Sequence, residues 1–176
     1  MDYFNQRSER LYYRALTLDD IPAWERFFHG NPTVRFLGIP AGLSELEIAT
    51  LWIETSLERN QQQGLGYLAV HEIATDAFIG MVGILPRPDF EGWDEYEIGY
   101  SLLNDFQGKG YATEAAQQMR RFGEQQIDCR RFISIIHEEN EPSKRVAERN
   151  GMSLLFRTDY KEMPVQVYGT GERTLK

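Results

Sequence analysis

The sequence predicts a single mixed α/β domain, one twisted sheet with helices packed on both faces. Two observations carry this. Apolar positions recur in turn at strand spacing and at helix spacing along nearly the whole chain, and no linker, repeat or low-complexity tract divides it. The length agrees, because 176 residues at 41% hydrophobic content suit one core, domains typically holding about 100–200 residues. All of 1–176 is expected to form this domain, with its core over about 9–170.

Residues 9–18 read as a first strand, after which Thr17 or Asp19 opens a helix carrying Ile21, Trp24, Phe27 and Phe28 on one face. Gly30, Pro32, Gly38, Pro40 and Gly42 mark 29–42 as a loop. Ser44 followed by Glu47 is a capping box, and Ile48, Leu51, Trp52 and Thr55 repeat behind it, so a second helix runs to about Asn60. Gly64-Leu65-Gly66 reads as a turn. The runs 66–72 and 78–85 form a hairpin across Thr75-Asp76, and Pro86 and Pro88 then precede a strand over 95–103. Beyond it the period lengthens: Ala112, Ala115, Ala116, Met119, Phe122 and Ile127 make the apolar stripe of a helix. A strand at 131–136, a short helix at 142–149 ended by Asn150-Gly151, strands at 154–160 and 165–168, and a frayed tail at 171–176 complete the chain.

Charge narrows the partners. The chain carries 19 Lys and Arg against 27 Asp and Glu, net −8, which argues against nucleic acid as a direct partner. The one cysteine, Cys129, excludes a disulfide framework, and His29, His71 and His137 lack metal-ligand spacing, so no metal is expected. Cys129 beside Arg130 is either a thiol of lowered pKa or an incidental one. No apolar run nears the ~18 residues of a membrane span, and Met1-Asp2-Tyr3-Phe4-Asn5 lacks the layout of a signal peptide, so a cytoplasmic protein without membrane association is expected. The charge is uneven: residues 1–106 hold 7 basic against 17 acidic side chains, whereas 107–149 hold 8 against 7. The front is set to attract a cation and the back to tolerate an anion, unless this is ordinary surface variation.

Gln107-Gly108-Lys109-Gly110-Tyr111-Ala112 lies between a strand and a helix. Glycines there let backbone N–H groups converge at the positive end of a helix dipole, an anion cradle that is neither a Walker loop nor a dinucleotide fingerprint. A second segment, Asn140 to Met152, sits 33 residues further on. Together the two resemble the GNAT acyltransferase superfamily, with Gln/Arg-x-x-Gly-x-Gly/Ala as the acyl-CoA pyrophosphate loop and Asn-x-x-Ser…Glu-x-x-Gly as the second CoA-side helix. Ile79-Gly80 through Gly83, Glu97-Ile98-Gly99-Tyr100, Gln107 through Ala115 and the 140–152 block resemble, more narrowly, the RimJ/RimL-like branch of ribosomal-protein N-terminal acetyltransferases.

The resemblance implies the GNAT fold and acetyl-CoA as cosubstrate. Backbone N–H groups of Gln107, Gly108, Lys109, Gly110, Tyr111 and Ala112 would hold the pyrophosphate, Asn140 the pantetheine arm, and Lys109, Lys144 and Arg145 the phosphate charge. Strands 95–103 and 131–136 would splay to admit that arm. Acetyl transfer needs a neutral amine, a stabilised oxyanion and a proton for the thiolate. Glu97 is the candidate base, directly or through water, and a backbone N–H near Tyr100 to Leu102 the oxyanion donor. Many members carry a Tyr seven residues after the Asn equivalent; here Ala147 stands there. In the RimL-like branch a Ser three residues after that Asn partners the thiolate, so Ser143 is the candidate acid, with capping of the 142–149 helix as its competing role.

Asp89, Glu91, Asp94, Glu95 and Glu97 place five carboxylates in nine residues without a local cation. This is either a mouth for a positively charged acceptor, with Asp94, Glu95 and Trp93 contacting it, or a solvated acidic loop. Trp24, Phe27, Phe28, Phe36 and Trp52 are core residues or the wall of an acceptor pocket. The acceptor expected is a primary amine, either the N-terminus of a ribosomal or other protein or a small amine such as a polyamine, amino acid or antibiotic. A non-catalytic acyl-CoA sensor is the alternative, and a homodimer is in keeping with the relatives.

Overall fold

The computed structural model describes residues 2–129 and 131–171; the tail expected over 171–176 lies outside the described residues from 172 onward. Among them, β1 (Asn5–Arg7), β2 (Leu11–Ala15), β3 (Tyr67–Glu72), β4 (Phe78–Phe90), β5 (Trp93–Leu102), β6 (Phe132–His137), β7 (Ser153–Tyr160) and β8 (Met163–Gly169) form one sheet in the order β1-β2-β3-β4-β5-β6-β8-β7. Every neighbouring pair is antiparallel except β5 and β6. A parallel pair needs a crossover, and α3 (Tyr111–Gln126) supplies it. The other helices are α1 (Ile21–Glu25), α2 (Glu45–Gln63) and α4 (Glu141–Arg149).

Period-two alternation divides the core into two layers. Leu68, Val70, Val82, Ile84 and Ile98 pack with Ala115, Ala116, Met119 and Phe122 of α3 and Ala147 of α4. Ala69 and Met81, one residue out of step, pack with Trp24 of α1 and Ala49 and Ile53 of α2 on the opposite face. Trp24, Phe27 and Phe28 are therefore core. The predicted capping box forms: Ser44 Oγ accepts from the N–H of Glu47 at 3.3 Å, and a Glu47 carboxylate oxygen accepts from the N–H of Ser44 at 2.8 Å. These bonds favour the charged form and hold Glu47 below the usual carboxylate range. Gly64, left-handed at φ 66°, ends α2.

Two strand readings change. β1 is a three-residue edge, Asn-Gln-Arg, with no apolar alternation to announce it. β4 runs on through Pro86 and Pro88 to Phe90 instead of stopping at 85. The reason is geometric. Its pairing with β3 ends at Gly83, while its pairing with β5 continues through Pro86↔Tyr96 and Arg87↔Glu95. The side turned away from β5 is then an open edge, where a missing N–H breaks no ladder bond.

Candidate active site

The sheet comes apart where β5 meets β6. Only Tyr96↔Phe132 and Glu97↔Ile133 are in register, and past them the strands diverge around a cavity of about 530 Å³. The hydroxyl of Ser134 donates to the carbonyl of Ile98 at 2.8 Å, at the point of divergence. Since the Ile98 carbonyl faces β6, alternation turns the N–H of Tyr100 into the same gap. The Tyr100 N–H, in the stretch expected to donate to an oxyanion, is thus placed at the gap.

One end of the cavity is the glycine loop. Gly108 (φ 75°) and Gly110 (φ 82°) are left-handed, and Gly110 is the N-cap of α3. Glycine is needed here for conformation rather than space, as a Cβ on Gly108 would meet nothing within 4 Å. Gln107 fixes the loop by donating its side-chain amide to the Leu102 carbonyl at 3.0 Å. Gln107, Gly108, Gly110, Tyr111 and Ala112 line the cavity, together with Thr113. The Tyr111 ring is tied back, its hydroxyl on Glu72 and the Arg10 guanidinium 4.5 Å over its face, so its contribution to the cradle is backbone. The donor set fits a CoA pyrophosphate: converging N–H groups at the start of a sixteen-residue helix. Replacing Gly110 by Ala forces a left-handed residue at a cost of ~1–2 kcal/mol. The expected result is CoA affinity weakened about tenfold in a calorimetric titration.

Asn140 is the N-cap of α4, its Oδ1 accepting from the N–H of Ser143 at 3.3 Å. The competing role for Ser143 is thereby removed, because Asn140 caps this helix. Among the described residues the Ser143 hydroxyl has no hydrogen bond, and both residues line the cavity. Tyr100, which the sequence reading passed over as a side chain, also lines it and donates its hydroxyl to the Ser143 carbonyl at 2.8 Å. Burial, then the nearby charge of Glu97, pushes this phenol well above its usual range, so it is neutral.

The cations expected to meet CoA phosphates are partly corrected. Lys144 is buried and pairs with Glu141 at 2.6 Å. Lys109 lies 5.2 Å over the ring of Phe106, and neither lysine lines the cavity. Arg145 does, and so does Arg149, one turn on along α4, which was overlooked. Helical spacing puts residues 145 and 149 on one face, a signal present in the sequence.

A second cavity of about 470 Å³ adjoins the first, walled by Phe36, Leu37, Ile39, Ile48, Trp52 and Met163. Glu97 lines both, as do Tyr67 and His137. Gly99, which lines the first cavity, makes room for Tyr67, because a Cβ on it would lie 2.7 Å from the Tyr67 hydroxyl. Glu97 itself is 8% exposed and accepts from Arg87 Nε at 2.6 Å. Burial alone would lower the basicity of Arg87; the adjacent Glu97 charge more than offsets this and raises it, so the guanidinium stays protonated.

The acidic run does not form one open mouth. Glu95 is 5% exposed, with Arg131 Nε donating to its two oxygens at 3.1 and 3.0 Å, and Arg131 stands 5.4 Å from the Trp93 ring centre. Asp94 is exposed at the hairpin tip, accepting from the N–H of Asp89 at 3.1 Å. Glu91 holds the tip to β7 through Thr158. Trp93, Asp94 and Glu95 line neither cavity. Of the five carboxylates that looked unbalanced along the chain, the two buried ones, Glu95 and Glu97, are balanced by Arg131 and Arg87. Cys129 also lines neither, and burial pushes its thiol up, against the activated-thiol alternative. Among the described residues no group of three or more His, Cys, Asp or Glu is placed to hold a metal, and no helix is long and apolar enough to cross a membrane.

Comparison with known proteins agrees with this geometry. The chain is 27% identical over 128 residues to the uncharacterized protein YkkB of Bacillus subtilis, covering 73% of this chain and 74% of that one. Its structure matches the acetyltransferase of Agrobacterium tumefaciens with TM-score 0.78 and 30% identity, over 96% of this chain and 94% of that chain. At 21% identity it shares the fold of RimL, the ribosomal L7/L12 alpha-N-protein acetyltransferase, in a structure containing coenzyme A, with TM-score 0.77 over 94% of this chain and 96% of that one. The profile of the acetyltransferase (GNAT) domain matches residues 10–153, spanning the glycine loop, the parting of β5 from β6 and the α4 cap, and so the chain belongs to the GNAT acetyltransferases.

Proposed function

We propose that the protein transfers acetyl from acetyl-CoA to a primary amine by direct attack, both substrates being bound together. The observation that carries this reading is Glu97, the carboxylate lining both cavities where the β5·β6 ladder ends. Acetyl-CoA supplies an activated thioester; its pyrophosphate is held by Gly108 to Ala112, with Arg145 and Arg149 near its phosphates. The amine enters from the second cavity. An ammonium cannot attack, so Glu97 takes its proton, directly or through water, while Arg87 keeps that carboxylate oriented. The N–H of Tyr100 stabilises charge on the carbonyl oxygen. The first proton passes from Glu97 to water; as the C–S bond breaks the nitrogen sheds its second, and Ser143 relays a proton to the departing thiolate while regaining one from water. Because water can replace a hydroxyl at so good a leaving group, Ser143→Ala is expected to lower kcat only about tenfold, below the usual general-acid effect.

The likeness to RimL supports a protein N-terminus as acceptor, and the modest volume of the second cavity, about 470 Å³, supports a small amine. Thiol release from acetyl-CoA, followed with a panel of N-terminal peptides, amino acids and polyamines, tests the reading. Acetylation of any member supports it; tight CoA binding with no acceptor turned over would favour the sensor instead.

A further inference from the structure

The second cavity is cationic, against the charge of the chain as a whole. Arg59 of α2, Arg87 of β4 and Lys161 of the β7–β8 turn line it, and Glu97 is the sole carboxylate among the lining residues. Glu97 is matched by Arg87. Arg59 and Lys161 have no ion pair among the described residues; Lys161 rests its ammonium 5.8 Å from the Tyr160 ring centre. Arg59, Arg87 and Lys161 all line this cavity and not the one with the glycine loop, so the CoA phosphates do not account for them. The charges feel one another: the Lys161 ammonium is pushed below its usual range, by burial first and then by Arg87, with Glu97 opposing and Arg59 adding. Its placement is also costly to the backbone. With Tyr160↔Met163 paired, Lys161 and Glu162 form a two-residue turn at φ 50° and 61°, where Asn or Gly is usual.

A bare ammonium entering such a cavity is repelled. We infer that the acceptor is a primary amine that also carries an anionic group, a carboxylate or a phosphate, which Arg59 and Lys161 hold while the amine faces Glu97. This rests on the proposed function and names its substrate class. The arrangement orients the acceptor, since Glu97 lines both cavities and Arg59 and Lys161 line only the second. It also assists the chemistry, because surrounding positive charge disfavours the ammonium and favours the neutral amine that attacks.

The test compares matched acceptors at saturating acetyl-CoA: L-leucine, L-leucinamide and isoamylamine; 2-aminoethyl phosphate and ethanolamine; and N-terminal peptides with Asp or Lys at the second residue. The anionic member of a set is expected to be preferred about tenfold or more in kcat/KM, the effect of one well-placed charge contact. The leucine pair is a demanding one, as the amide has the less basic amine and the intrinsic advantage. In the double variant Arg59→Gln/Lys161→Gln the preference is expected to fall towards parity. The peptide and small-molecule sets distinguish whether the anion belongs to an acidic N-terminus or to a free metabolite. Parity in the wild type, preference for the Lys peptide or a polyamine, or a preference that survives the double substitution would overturn the inference. Should no amine be acetylated, the functional reading fails separately, and calorimetry with CoA present decides the anion site. Tighter binding of N-acetyl-leucine than of its amide, lost in the double variant, supports the site; equal or absent binding overturns it.

Discussion

Glu97→Gln is expected to lower kcat for acetyl transfer by about 10²–10³-fold, with CoA affinity unchanged. The amide keeps the shape of the side chain and can still accept from Arg87, which now donates to the carboxylate at 2.6 Å. What it loses is the ability to take a proton from the incoming ammonium at the one carboxylate shared by both cavities. Initial rates against pH check this together with a CoA titration. The wild-type rate is expected to rise as the acceptor or a relay water surrenders its proton to Glu97, and the variant to show that limb only where the free amine exists in bulk solution. An unchanged rate and pH profile would remove Glu97 from the role of base. Arg87 loses its counter-charge in the variant, so a melting curve must accompany the kinetics; a loss of ~1–3 kcal/mol is expected from weakening a charged hydrogen bond.

Arg131→Met is expected to cost ~3–5 kcal/mol, because it leaves Glu95 buried without its cation. For a chain of this size that is a fall of about 6–20 °C in melting temperature. The position magnifies the consequence. The pair lies beside Tyr96↔Phe132, at the start of a ladder with only two residue pairs in register, so weakening it loosens the strands whose divergence makes the donor cavity. The double variant Glu95→Gln/Arg131→Met is expected to recover part of the loss, since it removes the stranded charge. A shift below about 2 °C in the single variant would show that the ion pair does not hold this junction.

Much of the fold was legible because its signals are local. The Ser44 and Glu47 cap and the 3.6-residue stripe of α3 are written within a few neighbouring residues, and both form. The glycine loop was legible for the same reason: left-handed residues ahead of a helix need glycine, and Gly108 and Gly110 supply it. β1 was missed because an edge strand of three polar residues buries too little to leave a pattern. β4 was cut short because proline marks a break only where a ladder bond is lost, and which side of a strand is unpaired is not a property of the strand itself.

The candidate site divides along the same line. The glycine loop followed from residue type, because the conformation it needs is intrinsic to a few consecutive residues; the cap of α4 did not, since Ser143 is the sequence's candidate and Asn140 takes the role. The charge map did not. Read along the chain, 89–97 is an acidic run inviting a cation; in the fold Arg131, 36 residues from Glu95, and Arg87, 10 residues from Glu97, neutralise its two buried members. The cavity proposed for the acceptor is instead lined by Arg59 and Lys161, which have no ion pair among the described residues and come from a helix and a turn about a hundred residues apart in a chain that is acidic overall. The amino-acid sequence alone determined the mixed α/β class and the glycine loop, since both depend on short-range backbone preference and periodicity, while the family followed from the resemblance of two short motifs. Only the tertiary structure decided the electrostatics of the acceptor side, because interactions between charges depend on distance and burial in space, and sequence separation carries neither.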